Sequence, residues 1–204
     1  MSADYQEIAV PDGMLAEVVT HLEMRAPPPD LTPSDLAPCA GPWRVERRLK
    51  PDLDWYLGLY RTIGAAWLWQ SRLVTPRGEI AAILRDPGNE VYVLRREAAD
   101  VGLLELDFRV AHEVQIAFFG VAASEIGGKA GHCLMRAALA RAWRDSPSRV
   151  WLHTCTHDHP HALPFYLRHG FRAYRRTVGI FPDPRLLGVL SKDAAFHIPV
   201  IGDV

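Results

Sequence analysis

The run Glu113-Val-Gln-Ile-Ala-Phe-Phe-Gly-Val121, continued through Ile126-Gly-Gly-Lys-Ala-Gly131 to Asp145, decides the architecture. Its first part is apolar and rich in aromatic and β-branched residues, the composition of a buried strand. After the glycines, Leu134, Ala138 and Ala142 make one ridge, and Met135, Leu139 and Trp143 the next. That i, i+4 spacing predicts an amphipathic helix with His132, Arg136 and Arg144 on its wet side. Strand, glycine turn and helix together offer an anion unpaired backbone N–H groups and the positive end of a helix dipole. A side chain in the turn would hold a phosphate away from the backbone, so the glycines matter. An ordinary strand-to-helix turn has the same spacing.

Working outward, Arg149-Val-Trp-Leu-His-Thr-Cys-Thr156 is a second strong strand. A helix joins it to the first, so the two should be parallel neighbours with a right-handed crossover. Asp158 to Gly170 reads as a short helix with a cap at its start and glycine at its end. Pro164 fits only if that helix begins late enough to place it in the first turn. Phe171 to Ile180 returns as a strand, and a proline-punctuated tail follows from Phe181 to Val204. Upstream, Met14–Met24 suits a first strand and Trp43–Lys50 a second. Between them Ala26 to Pro42 holds six prolines, which forces an irregular surface loop. Asp52 to Thr62 carries Leu53, Tyr56, Leu57 and Tyr60 at helical spacing, predicting a helix that ends near Gly64. Trp67–Leu73 and Arg77–Asp86 read as shorter helical pieces, and Glu90–Arg95 with Val101–Phe108 as a hairpin.

The 204 residues, 49% of them hydrophobic, are enough for one sizeable core, so residues 1–204 are expected to form one domain. Its expected parts are N-terminal strands and a proline-rich loop (1–50), helices and a hairpin (51–110), a central core (111–180) and a tail (181–204). A formal net charge of −1 gives no global field for nucleic acid or acidic membranes. No apolar run approaches membrane-spanning length, and no basic-then-apolar leader opens the chain. Three cysteines (Cys39, Cys133, Cys155) argue against a disulfide framework. A cytoplasmic protein is the default expectation.

The order strand, glycine turn, helix, strand, then Ala162-x-x-x-Tyr166-x-x-x-Gly170-Phe171, resembles the GNAT superfamily of acyl-CoA-dependent N-acetyltransferases. The resemblance is specific from Glu113 to Arg176 and schematic before it. Val150-Trp-Leu-His-Thr-Cys-Thr, Asp158-His-Pro and Asp183-Pro-Arg-Leu resemble a bacterial subgroup of such proteins. The implied fold is α/β, a mixed, centrally splayed sheet flanked by helices on both faces. The implied activity is acetyl transfer from acetyl-CoA to an amine of a small molecule or peptide, with a homodimer among the expected assemblies. A non-catalytic acyl-CoA-binding module is the alternative.

The family's pyrophosphate turn usually reads Arg/Gln-x-x-Gly-x-Gly/Ala. Aligned here, Ile126 stands for the Arg/Gln, Lys129 for the first glycine and Gly131 for the last position, with Gly127, Gly128 and Ala130 as local small residues. The resemblance further implies a carbonyl-polarising backbone N–H near Phe119, Gly120 and Val121. It places the thiolate's proton donor at Tyr166 and coenzyme contacts at His159 and Ala162. The family's frequent glutamate base aligns with Gln115, which cannot take a proton at neutral pH. Glu113, two residues earlier, shares its strand face and is the candidate base, direct or through water; a solvated strand-end carboxylate is the other reading. Tyr166 likewise reads either as acid or as a core tyrosine.

Acceptor recognition in such folds comes from the first helices and their connection, here Tyr56, Tyr60, Arg61, Trp67, Trp69 and Arg72. Tyr60, Trp67 and Trp69 are the candidate substrate wall, although aromatics at helical spacing also build cores. His153, Cys155 and His157 alternate onto one strand face with zinc-compatible donors. A straight strand spreads them over about 13 Å, so no metal site is expected.

Overall fold

In the computed structural model, which describes residues 7–31 and 41–202, the expected strands and helices form. They are β1 (Met14–Met24), β2 (Trp43–Arg48), α1 (Leu53–Gly64), α2 (Ser71–Val74), α3 (Arg77–Arg85), β3 (Asn89–Arg96) and β4 (Ala99–Asp107). Then come β5 (Glu113–Val121), α4 (Ala130–Ala142), β6 (Arg149–Cys155), α5 (Ala162–Arg168) and β7 (Arg172–Pro182). Residues 32–40, most of the expected proline-rich loop, lie outside the described residues.

The seven strands lie in one sheet in the order β2-β3-β4-β5-β6-β1-β7. Only β5 and β6 are parallel, as their helical crossover requires. β1 inserts between β6 and β7, antiparallel to both, with Val19 opposite Cys155 and Val18 opposite Val178. This is the α/β, mixed, centrally splayed sheet with helices on both faces expected from the sequence.

Both faces are covered, which is why β3 is buried over six consecutive residues rather than on alternate ones. On one face, Leu134, Met135 and Leu139 of α4 pack on Leu104, Leu106, Ile116 and Leu152. On the other, Tyr56, Tyr60 and Ile63 of α1 and Ile80 of α3 pack on Val91, Val93 and Leu103. Between Leu106–Ile116 and Glu105–Phe118 the β4–β5 register slips by one residue. Ala117 is therefore a bulge residue, and the bulge sends Phe118 to the α1 face.

Two local expectations need correction. Trp67–Leu73 is not one helical piece. The chain makes a 3-10 turn over Ala65–Trp67, passes through Leu68 at φ 55°, and folds back so that Trp69 N donates to Gly64 O at 3.0 Å. Gly64 permits the reversal, because a Cβ there would sit 2.4 Å from three atoms of Trp69. Asp158 is not a helix cap either. α5 begins at Ala162 with no side-chain cap, which leaves Pro164 in the first turn where it is tolerated.

The tail after β7 folds back onto β1 around a buried ion pair. Arg185 donates to the Asp183 carboxylate at 2.7 Å and to the carbonyl of Ile198 at 2.8 Å. Leu190 and Ala195 then pack on Leu15 and Leu68. Cys155 is a free thiol, whereas Cys133 on α4 is disulfide-bonded. One cross-link falls short of a framework. Among the described residues, no helix is long and apolar enough to cross a membrane.

Candidate active site

β5 and β6 are hydrogen-bonded only where Glu113–Gln115 faces Arg149–Trp151. Beyond that point the edge of residues 116–121 toward β6 has no strand partner among the described residues, and a cleft opens. Its larger lobe is a cavity of about 480 Å³, and its smaller lobe one of about 200 Å³. Trp67, Trp69, Phe119, Asp158 and Tyr166 line both, so the lobes meet there.

The larger lobe gathers Phe119, Gly120, Val121, Ile126, Gly127, Gly128, Gly131, His159 and Ala162 from the expected coenzyme set. Lys129 and Ala130 do not line it: Lys129 is the N-cap position of α4, and Ala130 is fully buried behind it. No side chain caps the first turn of α4, leaving its leading amides to the lobe. Gly127 adopts φ 82° with open space where a Cβ would stand, the conformation and clearance that only glycine supplies cheaply. Gly120 is required by packing instead, since a Cβ would come within 2.6 Å of Ile63. Glu125, buried in the same wall, is bound by Arg96 at 2.8 Å and by Trp43 Nε1 at 2.9 Å, so its charge is compensated.

Tyr166 lies at the junction, its ring in contact with Phe119, Phe165 and Phe171. Burial and the Asp158 carboxylate push its phenol well above the usual range, so it stays a neutral phenol. Asp158, absent from the expected site residues, lines both lobes and is held by Thr154 Oγ1 at 2.6 Å and the Cys155 amide at 3.0 Å, both donating to Oδ2. Trp69 Nε1 reaches the other oxygen at 3.4 Å. Its quoted motif Asp158-His-Pro was the available signal, obscured by the cap reading. Burial and His161 lower the pKa of His159, whose ring meets Trp67 edge to face at 5.0 Å.

Glu113 and Gln115 are not brought to the cleft. Both stand where β5 and β6 are still paired, and Glu113 accepts from Arg149 Nη2 at 2.7 Å. A shared strand face does not suffice, because the cleft opens only past Gln115. Of the expected substrate wall, Tyr60 lines the smaller lobe, and burial pushes its phenol up to about 12. Tyr56 and Arg72 instead bind the buried Glu105 carboxylate, and Arg61 is exposed. Burial, reinforced by Asp158 and Glu17, pushes the Cys155 thiol up, and burial lowers the His157 imidazole.

Comparison with known proteins follows this geometry. The acetyltransferase (GNAT) family model matches residues 53–171. Among solved structures, a functionally unknown conserved protein from Staphylococcus epidermidis ATCC 12228 aligns with TM-score 0.58 at 15% identity, over 84% of this chain and 63% of that one. The chain thus spans less than two thirds of that relative. A proposed GNAT acetyltransferase from Novosphingobium aromaticivorans DSM 12444 gives 0.57 at 15% identity, over 86% and 70%. An aminoglycoside acetyltransferase from an uncultured soil metagenomic sample, in complex with sisomicin, gives 0.56 at 18%, over 69% and 95%. These identities show a shared fold. No curated protein sequence matches. Because the family model covers more than half of its length, this chain belongs to the GNAT acetyltransferase family.

Proposed function

We propose that this protein transfers an acetyl group from acetyl-CoA to a small-molecule or peptide amine, with donor and acceptor entering the cleft from opposite lobes. The observation that carries the reading is the pair of lobes meeting at Asp158 and Tyr166. The larger lobe fits the donor: an uncapped helix start and a glycine turn suit a pyrophosphate, and the unpaired edge of β5 suits an extended amide-bearing arm. Acetyl-CoA supplies the reactive thioester. The backbone N–H groups around Phe119–Val121 hold and polarise its carbonyl, and Tyr166 delivers a proton to the departing sulfur. Asp158, the carboxylate that lines both lobes, takes the amine proton. Trp67, Trp69 and Tyr60 form the acceptor wall and exclude water.

The test is a melt with and without acetyl-CoA, followed by thiol release over a panel of amines. A ligand bound only by the folded state adds about 2.7 kcal/mol at a hundredfold excess over Kd. A rise in Tm with turnover on at least one amine is expected. A Tm unmoved by millimolar acetyl-CoA would sink the proposal; binding without turnover on any amine would leave a non-catalytic acyl-CoA-binding module.

A further inference from the structure

The sequence puts His153, Cys155 and His157 on one strand face, too far apart for one ion if the strand is straight. The strand is not straight over that span, for β6 ends at Cys155 and a turn follows. A third donor comes from elsewhere. Val19 of β1 stands opposite Cys155, so Glu17, two residues earlier on β1, shares that face and projects toward His157. One ligand atom each from Glu17, Cys155 and His157 lies within 4.8 Å of the other two. Glu17 Oε2 and His157 Nδ1 are already 3.7 Å apart.

In a tetrahedral zinc site, bond lengths of about 2.0 to 2.3 Å put neighbouring ligand atoms about 3.3 to 3.6 Å apart. The cluster therefore needs to close by about 1 Å at its widest pair, within the reach of side-chain rotation. An independent observation points the same way. His157 is only 7% exposed, yet its Nδ1, the atom aimed at Glu17, has no hydrogen-bond partner among the described residues. A buried ring nitrogen normally has one, and a metal ion satisfies it.

We propose that Glu17, Cys155 and His157 form a three-ligand site for a divalent cation of the zinc class. Thiolate, imidazole and carboxylate together favour a borderline-soft ion over magnesium or calcium. Glu17 and Cys155 both line the smaller lobe, so the fourth position opens on the acceptor side of the cleft. Three protein ligands and one open position are the pattern of zinc sites that take a further ligand. Binding replaces the proton of the Cys155 thiol, so loading releases that proton and leaves the protein otherwise unchanged.

The test uses the whole chain, stripped with chelator and loaded with zinc or cobalt(II) salts alone. After desalting, about one zinc per chain is expected. The cobalt form should show a thiolate-to-metal charge-transfer band. Cys155→Ser and His157→Gln should each lower zinc affinity at least tenfold while keeping the native circular dichroism. His153→Gln, on the same strand but outside the ligand set, should retain the metal. If Cys155→Ser does not fold, the cobalt spectrum of the unaltered chain still reports the sulfur. Absence of retained zinc, a cobalt spectrum without the thiolate band, or undiminished zinc in both ligand variants would overturn the proposal. None of these readouts uses acetyl transfer, so the metal site and the proposed activity stand or fall separately.

Discussion

Tyr166 and Asp158 both line the wall that the two lobes share, and their proposed duties are separable. A thiolate leaves easily, so protonating it should contribute less than orienting the two substrates. Tyr166→Phe keeps the ring contacts with Phe119 and Phe171 and removes only the hydroxyl. We expect kcat to fall about ten- to a thousandfold with little change in the Kd of acetyl-CoA, read by steady-state kinetics and calorimetry. An unchanged kcat would make Tyr166 a packing residue. Deprotonating an ammonium is the more demanding step, so Asp158→Asn should lower kcat/KM by about two to four orders of magnitude. Raising the pH toward the amine's own pKa should restore part of that loss, because the amine then enters neutral. Glu113→Gln is the contrasting case: it breaks a partly exposed ion pair with Arg149 and should leave kcat within about twofold, since such pairs contribute little.

Among the elements, the connection leaving α1 sets the shape of the acceptor wall. The chain reverses between Gly64 and Trp69, and the reversal places the indole of Trp69 against Tyr60 at 5.3 Å and Phe118 at 5.5 Å. Gly64 touches the Cβ and ring of Trp69 so closely that any side chain must displace the indole. Gly64→Ala should therefore cost about 1–3 kcal/mol in urea unfolding. Because Trp69 packs on Tyr60 and Phe118, which line only the smaller lobe, the same change should raise KM for the acceptor more than for acetyl-CoA. Equal effects on both constants would show the wall to be less rigid than its packing implies. The bulge at Ala117 works with this connection by turning Phe118 toward Tyr60 and Arg72.

Across the whole molecule, segments far apart in sequence complete the sheet beside the cleft. β1 supplies the strand beside β6, and the tail packs on Leu15 and Leu68 through the Asp183–Arg185 pair. Arg185→Met leaves a buried carboxylate unpaired, which should cost about 3–5 kcal/mol and expose the tail to limited proteolysis. Burial would raise the Asp183 carboxyl, but the hydrogen bonds from Arg185 outweigh it and hold it below the usual range. A depressed carboxylate pKa stabilises the fold above its unfolded value, and that contribution is lost as pH falls through the folded one. Stability should thus decline progressively below about pH 5, and Asp183→Asn should flatten that decline in urea melts run between pH 7 and 3.

The sequence by itself determined what is local or periodic. Apolar runs placed β5 and β6, i, i+4 ridges placed α4, and the helical link between two apolar strands made them parallel. The small residues Gly127, Gly128 and Gly131 marked the turn, and the spacing Ala162 to Gly170 marked Tyr166 and its helix. These features depend on neighbours a few residues away, so one strand of text carries them. What the tertiary structure decided is which polar groups meet. Glu113 looked like a base because it shares a face with Gln115, but strand pairing ends only after Gln115, leaving both on the closed side of the splay. Asp158 looked like a helix cap, but the turn after β6 carries it to the junction of the lobes. Glu17 could not be associated with Cys155 and His157 at all. Their meeting depends on β1 crossing to lie antiparallel beside β6, and the register of such a long-range pairing is written in the packing of the whole sheet, not in either segment.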